Sequence, residues 1–79
     1  MKKYTAKFLE DELTRRVGSL VTLRESMYSA EEDATYRRIY VGGERTGIVF
    51  DLEDLTEYDR RGIVGQQLDR LAARLIKGE

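Results

Sequence analysis

The chain has 79 residues, lacks cysteine, histidine, proline and tryptophan, and carries 14 basic and 15 acidic side chains for a formal net charge of −1. Without imidazole or thiol it can build no Ser-His-Asp triad, Cys-His pair, cysteine or histidine zinc centre, or disulfide framework. A chain this short buries only about 60% of the surface it exposes when unfolded, so a single core is expected, one domain over residues 1–79.

With 41% hydrophobic residues and little net charge, folding is favoured over disorder. The longest apolar runs, such as Gly47-Ile48-Val49-Phe50, fall far short of the roughly 20 residues that a membrane-spanning helix needs. Phe8 and Leu9 are followed at once by Glu10, Asp11 and Glu12, which leaves no uncharged core for a secretory signal. A cytoplasmic protein without membrane association is expected.

Phe8, Leu9, Leu13 and Val17 recur at steps of one and four and form one apolar stripe, which predicts a helix over about 5–17. Tyr4 extends the stripe by a turn. Asp11 with Arg15 and Glu12 with Arg16 are acid-before-base pairs four apart, and Gly18 suits the left-handed residue that ends many helices. From Leu20 the period changes to two, with Val21, Leu23 and Met27 on one side and Thr22, Arg24, Ser26 and Tyr28 on the other, a strand over about 20–28. Ser29 to Asp33 is a polar connection, although Ser29 with Glu32 also fits a capping box that would start a helical turn.

A strand over about 35–41 follows, then Gly42-Gly43, suited to the positive backbone angles of a tight hairpin, and a returning strand over about 44–51. Thr56 and the acids near it resemble a helix start, and Val64, Leu68, Leu71 and Leu75 supply the stripe of a last helix over about 56–77. Gly62 and Gly65 are anomalous inside it. Either the helix bends there or a second backbone approaches closely, within the fold or across a dimer. The order helix, strand, strand, strand, helix gives an α+β fold: a three-stranded antiparallel sheet with both helices on one face.

With a two-residue turn, Val41 faces Glu44 and Ile39 faces Thr46. The core face then holds Ile39, Val41, Ile48 and Phe50, joined by Val21, Leu23 and Met27. The outer face displays Thr22, Arg24, Ser26, Tyr28, Tyr36, Arg38, Tyr40, Arg45 and Val49. Tyrosines among arginines are what protein interfaces enrich and what single-stranded nucleic acid stacks upon, so Arg24, Tyr28, Tyr36, Arg38, Tyr40 and Arg45 form a candidate binding surface. The plainer reading is that tyrosine and threonine are ordinary strand formers and arginine an ordinary solvated residue.

A second candidate is the run Asp51, Glu53, Asp54, Glu57 and Asp59, uninterrupted by any base and followed by Arg60 and Arg61. These acids complement the positive end of a helix dipole, and clustered carboxylates also steer association with basic partners. One contiguous run does not supply carboxylates converging from several elements, as a magnesium site requires, so no metal or cofactor is expected. Neither the P-loop nor the dinucleotide fingerprint is present, and a hairpin turn accounts for Gly42-Gly43. No catalytic residues are assigned, and a non-enzymatic binding module is expected, monomeric or homodimeric.

The element order and length resemble the double-stranded RNA-binding domain. That family reads RNA through a basic cluster at the start of its second helix, where this chain carries Asp54, Glu57 and Asp59 before Arg60 and Arg61. Carboxylates there repel phosphates. In size, absence of catalytic residues and possession of an acidic patch, the chain also resembles the small phage-encoded anti-CRISPR proteins. That resemblance implies a phage inhibitor acting in the cytoplasm of a bacterial host, which occupies a surface of a CRISPR effector or another nucleic-acid-handling complex. Direct nucleic-acid binding through Arg24, Arg38 and Arg45 with Tyr36 and Tyr40 is the alternative.

Overall fold

The computed structural model of the chain describes residues 4–78. Thr5 opens helix α1 (Ala6–Val17) by accepting the Phe8 amide on its side-chain oxygen at 3.1 Å, and Gly18 closes it at φ +84°. Strands β1 (Val21–Ser29), β2 (Ala34–Val41) and β3 (Glu44–Phe50) form an antiparallel sheet in that spatial order, followed by α2 (Glu53–Arg60) and α3 (Val64–Lys77). The three-stranded antiparallel sheet is as predicted, with three helices rather than two against one face.

The core is a single cluster. Leu9 and Leu13 from α1, Leu55 from α2 and Leu68, Leu71, Ala72 and Leu75 from α3 close over Val21, Ile39 and Ile48 of the sheet. Each buried leucine contributes roughly 1.5–3 kcal/mol of transfer free energy. Half-buried Arg16 ties the helical layer together, pairing with Glu12 on its own helix at 2.7 Å and with Asp69 of α3 at 2.8 Å.

The predicted helix over 56–77 is two helices. After Arg60 the chain takes a left-handed step at Gly62 (φ +69°), where the Ile63 amide donates to the Tyr58 carbonyl at 2.9 Å and the Gly62 amide to Asp59 at 3.0 Å. Those two bonds satisfy the last carbonyls of α2 in the six-to-one and five-to-two pattern of a Schellman cap. The anomaly at Gly62 is therefore a helix stop. Gly65, inside α3, has nothing within 4 Å of where a Cβ would stand, so among the described residues no second backbone of the fold approaches it closely.

Ser29 and Ala34 pair across a four-residue turn over 30–33. There the Ser29 hydroxyl accepts the Glu32 amide at 3.4 Å and Asp33 adopts φ +50°, so the polar segment closes a hairpin. The Gly42-Gly43 turn sets Val41 opposite Glu44 and Tyr40 opposite Arg45 as predicted.

Both ladders then break. In β1 one extra residue, Glu25, is accommodated at φ +56°, so that Arg24 faces Arg38 while Ser26 faces Arg37. A shift of one residue reverses the alternation. Met27, expected in the core, consequently pairs with Tyr36 and lies beside Arg38, while Ser26 and Tyr28, expected on the outer face, turn to the other side.

In β3 the register slips by two between Tyr40, opposite Arg45, and Arg38, opposite Val49, so Ile39 and Thr46 are not a ladder pair as expected. The Thr46 hydroxyl bridges the slip, donating to the Ile39 carbonyl at 2.6 Å and accepting the Ile48 amide at 3.2 Å. A slip of two preserves alternation. Ile48 and Phe50 stay with the core and Val49 stays outside, as predicted.

At Gly62 a methyl group has room but the backbone does not suit it, so Gly62→Ala is expected to lower stability by about 1 kcal/mol through left-handed strain alone. Urea denaturation with an unchanged m-value checks this.

Candidate functional site

The bulge that reverses β1 also delivers Glu25 to the outer face of the sheet. Its carboxylate accepts the Arg38 Nε at 3.0 Å, the Tyr40 hydroxyl, and an Arg45 guanidinium nitrogen at 3.4 Å. Arg38, only half-buried, is fixed further by donating to the Thr46 carbonyl at 2.9 Å and by lying 3.8 Å from the Met27 sulfur. The Arg24 guanidinium sits 5.0 Å from the centre of the Tyr40 ring, a cation-π distance. Glu25 is thus the hub of a network joining all three strands.

Of the six sheet-face residues expected at a site, Arg24, Arg38, Tyr40 and Arg45 meet around Glu25, and Tyr36 lies on the same face near the start of β2. Tyr28 does not join them. It is 65% exposed on the other side of the sheet, where its hydroxyl donates to Asp33 at 2.7 Å. Sequence reasoning missed Glu25 and Met27. The signal was present, because strict alternation from Val21 and Leu23 assigns a carboxylate at 25 to the core, where an unpaired charge is costly.

The network holds the Glu25 carboxyl below the usual glutamate range, through the Tyr40 hydroxyl first, then Arg38 and the charge of Arg45. The Tyr40 phenol moves up in turn, chiefly because it donates to Glu25. Tyr36 donates to Glu32, and that bond, with burial and the nearby charges of Glu32, Asp51 and Asp54, pushes its phenol up to about 12.

The acidic run lies behind the sheet, in the helical layer. Asp51 directly follows β3, and its carboxylate accepts the Glu53 amide at 3.0 Å at the start of α2. Glu57 pairs with Arg60 at 3.2 Å. Asp59 neighbours Tyr4, whose phenol is raised by burial and then by that carboxylate. Glu53 is exposed, whereas Asp54 is half-buried, and its carboxyl is raised by burial first and then by Asp51, Glu32 and Glu53. The surplus negative charge therefore concentrates at Asp51, Glu53 and Asp54. The two candidate surfaces meet at Tyr36, which lies near Asp51 and Asp54, and at Tyr28, which shares a hollow with Asp51 and Glu53. Among the described residues no three carboxylates converge as metal ligands do, and no helix is long and apolar enough to cross a membrane.

In comparisons with protein-family models, curated proteins and solved structures, nothing matches the chain.

The two perturbed carboxylates act on stability with opposite signs. Glu25, lowered from a value near 4.5, favours the fold above that pH, and its contribution disappears as the pH falls through the lower folded value. Asp54, raised from 3.8, opposes the fold once ionised, an effect absent below that value and complete above the raised one. Glu25→Gln is expected to lower Tm at pH 7, and Asp54→Asn to raise it. Both differences from the parent should close toward pH 3 in thermal melts.

Proposed function

We propose that this chain is a non-enzymatic protein-binding module that uses the outer sheet face to occupy a surface of a nucleic-acid-handling complex, in the manner of anti-CRISPR inhibitors. The observation that carries the reading is the network centred on Glu25. It fixes Arg38, Tyr40 and Arg45 in place before any partner arrives, and aromatic and arginine anchors with little freedom left to lose are what strong interface centres use.

The same network weighs against direct nucleic-acid binding. A carboxylate in the middle of the face neutralises two of its arginines and would oppose phosphates, while the Tyr40 ring is already engaged by Arg24. The acids at Asp51 and Glu53 add a separate electrostatic contribution, speeding encounter with a partner whose groove is lined by lysine and arginine. In this mechanism the module acts sterically, holding the place where nucleic acid would lie.

Tagged protein incubated with bacterial lysate treated with nuclease is expected to retain a nucleic-acid-handling complex. Tyr40→Ala should weaken that retention by about tenfold or more, with the fold intact by circular dichroism. Reversing Glu53 to lysine should slow association, with the effect fading as salt is raised. A mobility shift of purified nucleic acid that weakens steeply with salt, together with loss of the captured complex on nuclease treatment, would replace this reading by the nucleic-acid one.

A further inference from the structure

The three helices are held to the body of the fold unequally. Helix α1 is tied by polar side chains as well as by its leucines: Thr14 Oγ1 accepts the Val21 amide at 2.9 Å, Glu10 accepts the Leu23 amide at 2.8 Å, and Arg16 reaches Asp69 of α3. Leu68, Leu71, Ala72 and Leu75 bury α3 along its length. Helix α2 buries Leu55 alone, with half-buried Leu52 and Tyr58 packed against the core on either side of it. The bonds that shape its two ends stay inside its own stretch of chain: the Asp51 carboxylate holds the Glu53 amide, the Tyr58 and Asp59 carbonyls accept from Ile63 and Gly62, and Glu57 pairs with Arg60. From outside that stretch, the Tyr4 phenol bonds to Asp59.

Hollows border this narrow seat on several sides. One of about 550 Å³ lies between α2 and Tyr4. A second, about 330 Å³, separates Asp54 and Tyr58 from Gln67, Arg70 and Arg74 of α3, with Tyr36 of β2 on its wall. The third, about 380 Å³, lies between Leu52 and Glu53 and the hairpin residues Tyr28 and Asp33. Charge loosens the helix further. Burial first, then Asp51, Glu32 and Glu53, raise the Asp54 carboxyl, so its ionised form gains by leaving the body of the fold.

We propose that α2 is the opening element of the molecule, leaving the core and melting as one unit while the sheet, α1 and α3 stay folded. A helix of 8 residues is too short to persist in water without its packing, so detachment and melting are one event. Chain length permits it. Drawn out, the segment 51–63 reaches about 40 Å, beyond the longest dimension of the fold, 30 Å, so β3 and α3 keep their places. Gly62 supplies freedom at the second hinge, with φ +69° and nothing within 4 Å of where a Cβ would stand. The open state uncovers the apolar seat of Leu55 beside a released run of carboxylates, a surface the closed molecule does not present. This opening is separate from the outer face assigned above and stands or falls independently of it.

The test is amide hydrogen exchange of the isotopically labelled full chain, followed by NMR in stepped urea below the unfolding transition. The amides of Glu57 to Arg60 are expected to exchange as a group, about tenfold or more faster than those of Leu13 and Leu71, with a urea dependence above zero but smaller than that of the whole molecule. Asp54→Asn should slow the α2 group severalfold. Val21→Ala lies at the end of the sheet opposite Phe50. It should speed exchange at Leu13 and Leu71 by about tenfold or more and leave the α2 group unchanged. The proposal is overturned if the α2 amides share the urea dependence of Leu13 and Leu71, or if Val21→Ala speeds both groups equally, since α2 would then unfold only with the whole molecule. Exchange in α2 that urea does not alter overturns it as well, because fraying of a helix end uncovers no core surface.

Discussion

The left-handed step at Glu25 is the constraint on which the sheet's surfaces depend. A strand presents alternate residues to opposite sides, so one extra residue reverses everything beyond it. Before the bulge, Val21 and Leu23 face the helices; after it, Met27 faces outward and Tyr28 faces the helical side. A left-handed backbone is unfavourable for glutamate, yet this geometry carries the carboxylate out of the core and into contact with Arg38, Tyr40 and Arg45. Backbone strain and side-chain network are thus two aspects of one arrangement, and neither makes sense without the other.

The contrast with β3 shows why the outer face remains coherent. Two extra residues in that strand restore the alternation they disturb, so Ile48 stays buried and Val49 stays exposed, with the Thr46 hydroxyl supplying the backbone partners the ladder loses. In the helical layer, α1 serves both the core and the sheet margin. Leu9 and Leu13 point inward while Thr14 and Glu10, on the same helix, reach the β1 backbone. Amphipathic spacing places the first pair, and the second uses polar side chains that an apolar stripe does not reveal.

Much of this fold was legible in the sequence because it rests on local periodicity. The stripes of α1 and α3, the period-two strands and the Gly42-Gly43 turn each follow from spacing or from glycine chemistry. The bulges were not, because register is decided between strands, and a chain read alone shows no partner strand. Glu25 was nevertheless marked by its forbidden core position, a cue that outweighs the regular alternation of its neighbours. Gly62 was recognised as foreign to a helix, but choosing between a bend and a stop required the capping bonds to Tyr58 and Asp59. For the candidate site, the residue types were legible and their grouping only in part: four arginine and tyrosine positions converge, Tyr28 leaves, and the acid that organises them was assigned no role.

The β1 margin of the sheet is closed by the helix that precedes it. Thr14 and Glu10 of α1 accept the Val21 and Leu23 amides, donors that an edge strand otherwise offers to another chain. Leu9 and Leu13 of the same helix fill the core, so loosening the core would also release those two bonds. Protection against strand pairing along β1 is in this way coupled to folding itself.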